Sequence, residues 1–144
     1  MSYIKVWLHF VWSTKDRKPF LTDDIRQKVF QHIRENAREK GIFIDFINGY
    51  VEHAHCLISL GSDQTIEKIM QLIKGESSFW FNNKSSFKTS KLEWQAEYFA
   101  ISVSESMLET VRKYIDNQVE HHQKKSFSEE YEEFIKKHGF KLLG

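Results

Sequence analysis

Apolar and aromatic side chains fill nearly every position of YIKVWLHFVW, Tyr3 to Trp12, with no Gly or Pro. That run predicts a strand covered on both faces. The polar, basic stretch STKDRKP breaks it and leads to Thr22, Asp23 and Asp24, a cap and acidic first turn for a helix reaching about Lys40. Ile25, Val29, Phe30, Ile33 and Ala37 recur at helical spacing, and Gly41 stands where a helix stops. IFIDFI (Ile42 to Ile47) reads as a second strand, Asn48-Gly49 as a hairpin turn, and Tyr50 to Leu60 as a third strand antiparallel to it. Gly61-Ser62-Asp63 turns into a second helix with Ile66, Ile69, Met70 and Ile73 on its apolar stripe. Trp94 to Val103 reads as a fourth strand, and Ser104-Glu105 caps a third helix carrying Met107, Leu108, Val111 and Ile115. Ser126-x-x-Glu129 is a capping box for a last helix to about Lys137. The order β-α-β-β-α-β-α-α predicts an α+β fold: a ferredoxin-like split βαβ antiparallel sheet with C-terminal helices appended, as one domain over 1–144.

Composition narrows the class without naming a function. In 144 residues, 28% charged and 40% hydrophobic, there is a single cysteine, Cys56, which excludes a disulfide scaffold and a cysteine-rich zinc module. No run approaches the ~20 apolar residues of a membrane helix, and no signal-peptide pattern opens the sequence, so a cytoplasmic protein without a membrane partner is expected. A net charge of +1 neither demands nor forbids nucleic acid, since a local basic patch matters more than the sum.

Two pairs of residues carry candidate chemistry. On a strand, positions i and i+2 share a face, so His53 and His55 project side by side, about 6–7 Å apart along the backbone. Two imidazoles so placed can converge on a divalent metal, although two histidines on a sheet face need no ligand to explain them. Cys56 points to the opposite face, toward a core. On the third helix Tyr114 and Gln118 lie four residues apart, one above the other. A phenol with pKa near 10 is roughly one part in a thousand ionised at neutral pH, a deficit of about 4 kcal/mol as a nucleophile. A nearby metal can supply part of that. Gln118 offers a neutral oxygen suited to a hard cation. Taken alone, the pair is better explained as a partly buried Tyr and a solvent-facing Gln.

Taken together and in order, a His-hydrophobic-His strand followed by a helix with Tyr-x-x-x-Gln resembles the small single-tyrosine HUH transposases of bacterial insertion sequences. The resemblance extends to FVWSTKDRKPFL, VEHAHCLISL, IKGESSFWF, WQAEYFAISVS and YIDNQVEHH, and so covers most of the chain. It implies that His53, His55 and Gln118 are the protein ligands of Mg²⁺ or Mn²⁺ and that Tyr114 is the nucleophile. Tyr114 would attack single-stranded DNA, leaving a 5′-phosphotyrosine link and a free 3′-OH. It also implies subterminal DNA hairpins as partners and a homodimer whose tyrosine helices complete the partner's site in trans. REP-associated tyrosine transposases are relatives; Asn117-Gln118, where that subgroup can have Asn-Pro, favours the insertion-sequence type. Glu52 replaces the Asp that many members carry before the first His, and strand alternation points it away from the ligands.

The remaining polar residues divide between DNA contact and ordinary surface. Lys15, Arg17 and Lys18 after the first strand, and Lys74, Ser77 and Ser78 late in the second helix, are candidate phosphate contacts. Lys84, Lys88 and Lys91 could line a groove. His9 is expected to support the metal pair rather than ligate, and His121 and His122 to lie at the surface. The competing functions are a non-catalytic nucleic-acid-binding module derived from such an enzyme, a domesticated REP-associated relative, and a metal hydrolase without a covalent step.

Overall fold

The computed structural model describes residues 3–87 and 89–139, so Lys88 lies outside the described residues. Four strands, β1 (Trp7–Ser13), β2 (Phe43–Gly49), β3 (His53–Ser59) and β4 (Phe99–Val103), form a sheet in the order β2-β3-β1-β4. All three pairings are antiparallel. Five α-helices accompany them: α1 (Asp23–Glu39), α2 (Ile66–Lys84), α3 (Leu108–Asp116), α4 (Gln118–Lys124) and α5 (Phe127–His138). This is the expected α+β, split βαβ sheet with C-terminal helices.

Strand alternation divides the interior in two. Leu8, Phe10 and Trp12 of β1, with Ala54, Cys56 and Ile58 of β3, meet the apolar stripes of α1 and α2 in the main core. The alternate residues face the other way, where Leu57 packs with Leu108 and Ile115 of α3 in a second, smaller core. His9, His53 and His55 belong to this second face. A two-residue repeat therefore aims the histidines at α3 while Cys56 is fully buried on the opposite side.

Four boundaries differ from the sequence reading. β1 begins at Trp7, because both neighbours end opposite it, Trp7 pairing with Ser59 and with Val103. Tyr3 is accordingly 93% exposed. β4 begins at Phe99; the carbonyls of Gln95 and Ala96 accept from Lys74 Nζ, at 2.6 and 3.1 Å, and Trp94 makes only an isolated bridge with Thr14. The hairpin turns at 50–52 rather than at Asn48-Gly49, closed by Tyr50 N–H donating to His53 O at 3.1 Å. Gly49 is needed there for closeness: a Cβ would stand 2.1 Å from the His53 carbonyl oxygen. Finally, the helix bearing Tyr114 is interrupted at Asn117 (φ −96°, ψ 23°), so Gln118 opens α4 instead of continuing α3.

Candidate active site

The site is assembled where β3, the α3–α4 junction and α5 meet. His53, His55 and Gln118 are each fully buried, and Glu130 of α5 is 2% exposed. Each β3 histidine is steered through its Nδ1. His53 Nδ1 donates to Glu52 Oε1 at 2.7 Å, since a carboxylate can only accept. His55 Nδ1 shares a 2.8 Å hydrogen bond with His9 Nε2. Both rings therefore turn Nε2 inward, an orientation that partners on the far nitrogen fix at metal sites. His9 has the supporting position expected of it. Glu52 does not point away: it sits in the turn before β3, where strand alternation does not govern its side chain.

Gln118 is oriented in the same manner. Its Nε2 donates to the Tyr114 carbonyl at 3.0 Å, which directs Oε1 to within 3.0 Å of His53 Nε2. The four-residue spacing thus still works across the break at Asn117. Tyr114 is half-buried, its ring centroid 5.4 Å from that of His55, and its hydroxyl donates to Glu130 Oε2. In this single chain, Tyr114 and Gln118 stand beside the chain's own histidine pair.

Three residues reach the site that the sequence reading placed elsewhere or passed over. Glu130 Oε1 lies 3.1 Å from His55 Nε2 and 3.5 Å from His53 Nε2. His122 is buried, not a surface group. Its Nδ1 donates to the Lys125 carbonyl at 2.8 Å, and its Nε2 lies 3.3 Å from Glu130 Oε2. His121 is half-buried, its Nε2 3.0 Å from the same oxygen. Both of these Nε2 atoms are within ion-pair range of Glu130 but off the hydrogen-bonding direction, and each is buried without a hydrogen-bond partner. A sequence signal existed for Glu130 and for His122. Glu130 interrupts the apolar stripe Phe127, Tyr131, Phe134 of α5, and His122 follows Ile115 and Gln118 at helical spacing.

The electrostatics follow from burial. Burial lowers the His55 pKa to about 4, so its ring is neutral near pH 7. Burial also raises the Tyr114 pKa, and the negative charge of Glu130 pushes it further the same way. Burial alone would favour a neutral Glu130, but the His122, His55 and Tyr114 side chains around it outweigh burial and hold the carboxylate ionised. His53 Nε2, Gln118 Oε1 and Glu130 thus converge at the centre. Nitrogen and oxygen donors gathered in one buried space can hold a cation between them, so the residues present fit a divalent ion.

The candidate phosphate contacts scatter. Ser77 is fully buried, accepting from Trp94 Nε1 at 2.9 Å. Lys74 is half-buried and spent on the Gln95 and Ala96 carbonyls, and burial lowers its pKa. Ser78 donates to the Gly75 carbonyl on its own helix. Lys15 pairs with Glu93 at 3.5 Å at the surface, and Lys18 is exposed. Arg17 lies with its guanidinium 4.5 Å from the Tyr131 ring centroid and donates to Ser128 Oγ at 3.0 Å. It therefore fastens α5 to the turn after β1, in which Asp16 and Arg17 both adopt left-handed backbone (φ 57° and 54°).

Comparison with known proteins finds similarity over most of the chain. The chain is 24% identical over 115 residues to the ISDra2 transposase TnpA of Deinococcus radiodurans, covering 76% of this chain and 81% of that one. Its fold is similar to that of a crystal structure of a putative transposase from Deinococcus radiodurans, with TM-score 0.64, 23% identity, and 81% and 93% of the two chains covered. It is also similar to a REP-associated tyrosine transposase bound to a REP hairpin, with TM-score 0.60, 19% identity, and 86% and 71% covered. The IS200-like transposase profile matches residues 2–118, from the first strand through Gln118, and the chain belongs to that transposase family.

Proposed function

We propose that this transposase cuts and rejoins single-stranded DNA at insertion-sequence ends, with Tyr114 as nucleophile and His53, His55 and Gln118 holding a divalent cation. The observation that carries the reading is the convergence of His53 Nε2 and Gln118 Oε1, 3.0 Å apart, beside the Tyr114 ring in one buried site. A binding module has no use for that convergence, and a simple metal hydrolase has none for Tyr114.

In the proposed reaction the Tyr114 oxygen bonds to phosphorus as the bond from phosphorus to the 3′-oxygen breaks. The phenolic proton leaves toward Glu130 Oε2, which already accepts its hydrogen bond, and passes on through water to the departing 3′-oxygen. A 5′-phosphotyrosine link and a free 3′-OH result. Attack on that link by the 3′-OH of another strand reverses the exchange and returns the hydroxyl to Tyr114, so no nucleotide energy source is needed. The bound cation would polarise the phosphoryl oxygen and offset the Glu130 charge that opposes phenolate formation. A cleft of about 560 Å³, lined by His9, Ser102, Ser104, Tyr114, Glu130 and Lys137 among others, gives a strand access to the hydroxyl. The REP hairpin in the similar transposase structure supports hairpin DNA as the ligand class. The single-chain geometry supports a site complete in cis.

The test is incubation with labelled hairpin-bearing single-stranded DNA and Mn²⁺, followed by a denaturing gel. A covalent protein–DNA band with the unaltered protein, absent with Tyr114→Phe and with His53→Gln, is expected. An equal band from Tyr114→Phe would refute the assignment.

A further inference from the structure

We infer that His122 and Glu130 ligate the same cation as His53 and His55. The centre then adds an imidazole and a carboxylate to His53, His55 and Gln118, and takes a late first-row transition ion in preference to Mg²⁺. The inference rests on the reading that the His53–His55 pair holds a divalent cation, and it extends that site to residues beyond the 2–118 family match.

Three independent features support it. First, His53, His55 and His122 each have Nδ1 committed outward: to Glu52, to His9 and to the Lys125 carbonyl. All three turn Nε2 toward the Glu130 carboxylate, and the His122 Nε2 is buried with no hydrogen-bond partner. Second, donor atoms of His53, His55, His122 and Glu130 all lie within 4.8 Å of one another, and all four residues are buried. Donors about 2.1 Å from a shared ion at tetrahedral angles stand about 3.4 Å apart. Glu130 Oε1 lies 3.1 Å from His55 Nε2 and 3.5 Å from His53 Nε2, and its other oxygen, Oε2, lies 3.3 Å from His122 Nε2. Third, the chemistry of the set selects the ion. Mg²⁺ demands oxygen ligands and sheds water reluctantly, whereas a buried set dominated by imidazole suits Co²⁺, Ni²⁺ or Zn²⁺. Ser126, whose side chain caps α5 by accepting from Glu129 N–H at 3.2 Å, and Arg17 together fix the helix that delivers Glu130.

The test uses tag-free, full-length protein stripped of metal and titrated with Co²⁺ by visible absorption, without DNA. One Co²⁺ per chain with a low-symmetry ligand-field spectrum is expected, resistant to millimolar Mg²⁺ and displaced by Zn²⁺. Glu130→Gln and His122→Gln should each weaken Co²⁺ binding by roughly 10-fold or more. As a readout needing no mutation, nitrogen NMR of the unaltered protein with Zn²⁺ should move the Nε2 resonances of His53, His55 and His122 together. If both variants bind Co²⁺ at full affinity while His53→Gln loses it, or if only two histidines move, the inference fails and the proposed function stands. If His53→Gln also binds at full affinity, the metal reading of the proposed function fails with it. Displacement of Co²⁺ by equimolar Mg²⁺ would overturn the assignment of ion class.

Discussion

Truncating Ile115 to Ala should loosen the tyrosine helix before it loosens the protein. Ile115 is fully buried and, with Leu57 and Leu108, makes up the whole buried part of the second core. The change removes three carbons, worth about 2.4 kcal/mol at about 0.8 per buried carbon. The cavity left behind adds to this and brings the total to about 3 kcal/mol. The main core between the sheet and α1–α2 does not share these contacts, so the loss falls on the docking of α3. Arg112, which donates to Asp45 Oδ2 at 2.6 Å on β2, remains as a surface tether but replaces no buried area. Hydrogen exchange read by mass spectrometry should show α3 amides exchanging roughly 100-fold faster, following about 1.4 kcal/mol per decade, with α1 amides much less changed. Covalent adduct formation should fall as well, because Tyr114 and Gln118 ride on that docking. Equal acceleration in α1 and α3, or unchanged α3 exchange, would refute the idea that α3 is held by a core of its own.

The ion-free protein should lose stability as pH falls from about 6.5 to 4. In that window the unfolded His55 takes up a proton and the native one, with pKa about 4, does not. The shift amounts to at most about 3 kcal/mol, and below pH 4 His55 adds no further loss. Burial lowers the His9 pKa as well, so His9 acts in the same direction. Urea unfolding in chelator across this range reads it out, and a midpoint flat from pH 7 to 4.5 would contradict it. A mixture of Tyr114→Phe and His53→Ala should form no adduct, because Tyr114 and Gln118 stand against their own chain's histidines. Recovered activity in the mixture would show helices shared between subunits, as the family resemblance had led us to expect.

What could be read from the sequence was what alternation and helical spacing control. The period of two aimed His53 and His55 at one face and Cys56 at the other, and the stripes of α1 and α2 found their core. Strand ends were misplaced because they depend on where partners stop, as at Trp7, or on who captures the carbonyls, as Lys74 does at 95–96. The Asn-Gly pair suggested a turn because such pairs often supply left-handed backbone, yet Gly49 serves a close backbone approach instead. Glu130 and His122 were missed for a different reason. A helix judged appended has no evident partner in one dimension, so a carboxylate on its inner face looks like a solvated charge. Its partners are 75 and 8 residues away in the chain and become neighbours only when α5 folds back over β3.

The most direct measurement of the central claim is peptide mapping of the covalent protein–DNA adduct by mass spectrometry after nuclease digestion. The account predicts a nucleotide joined through a 5′-phosphate to Tyr114, formed only when a divalent cation is present. A nucleotide on Tyr98, Tyr131 or any other residue, or an adduct formed equally well in chelator, would contradict it.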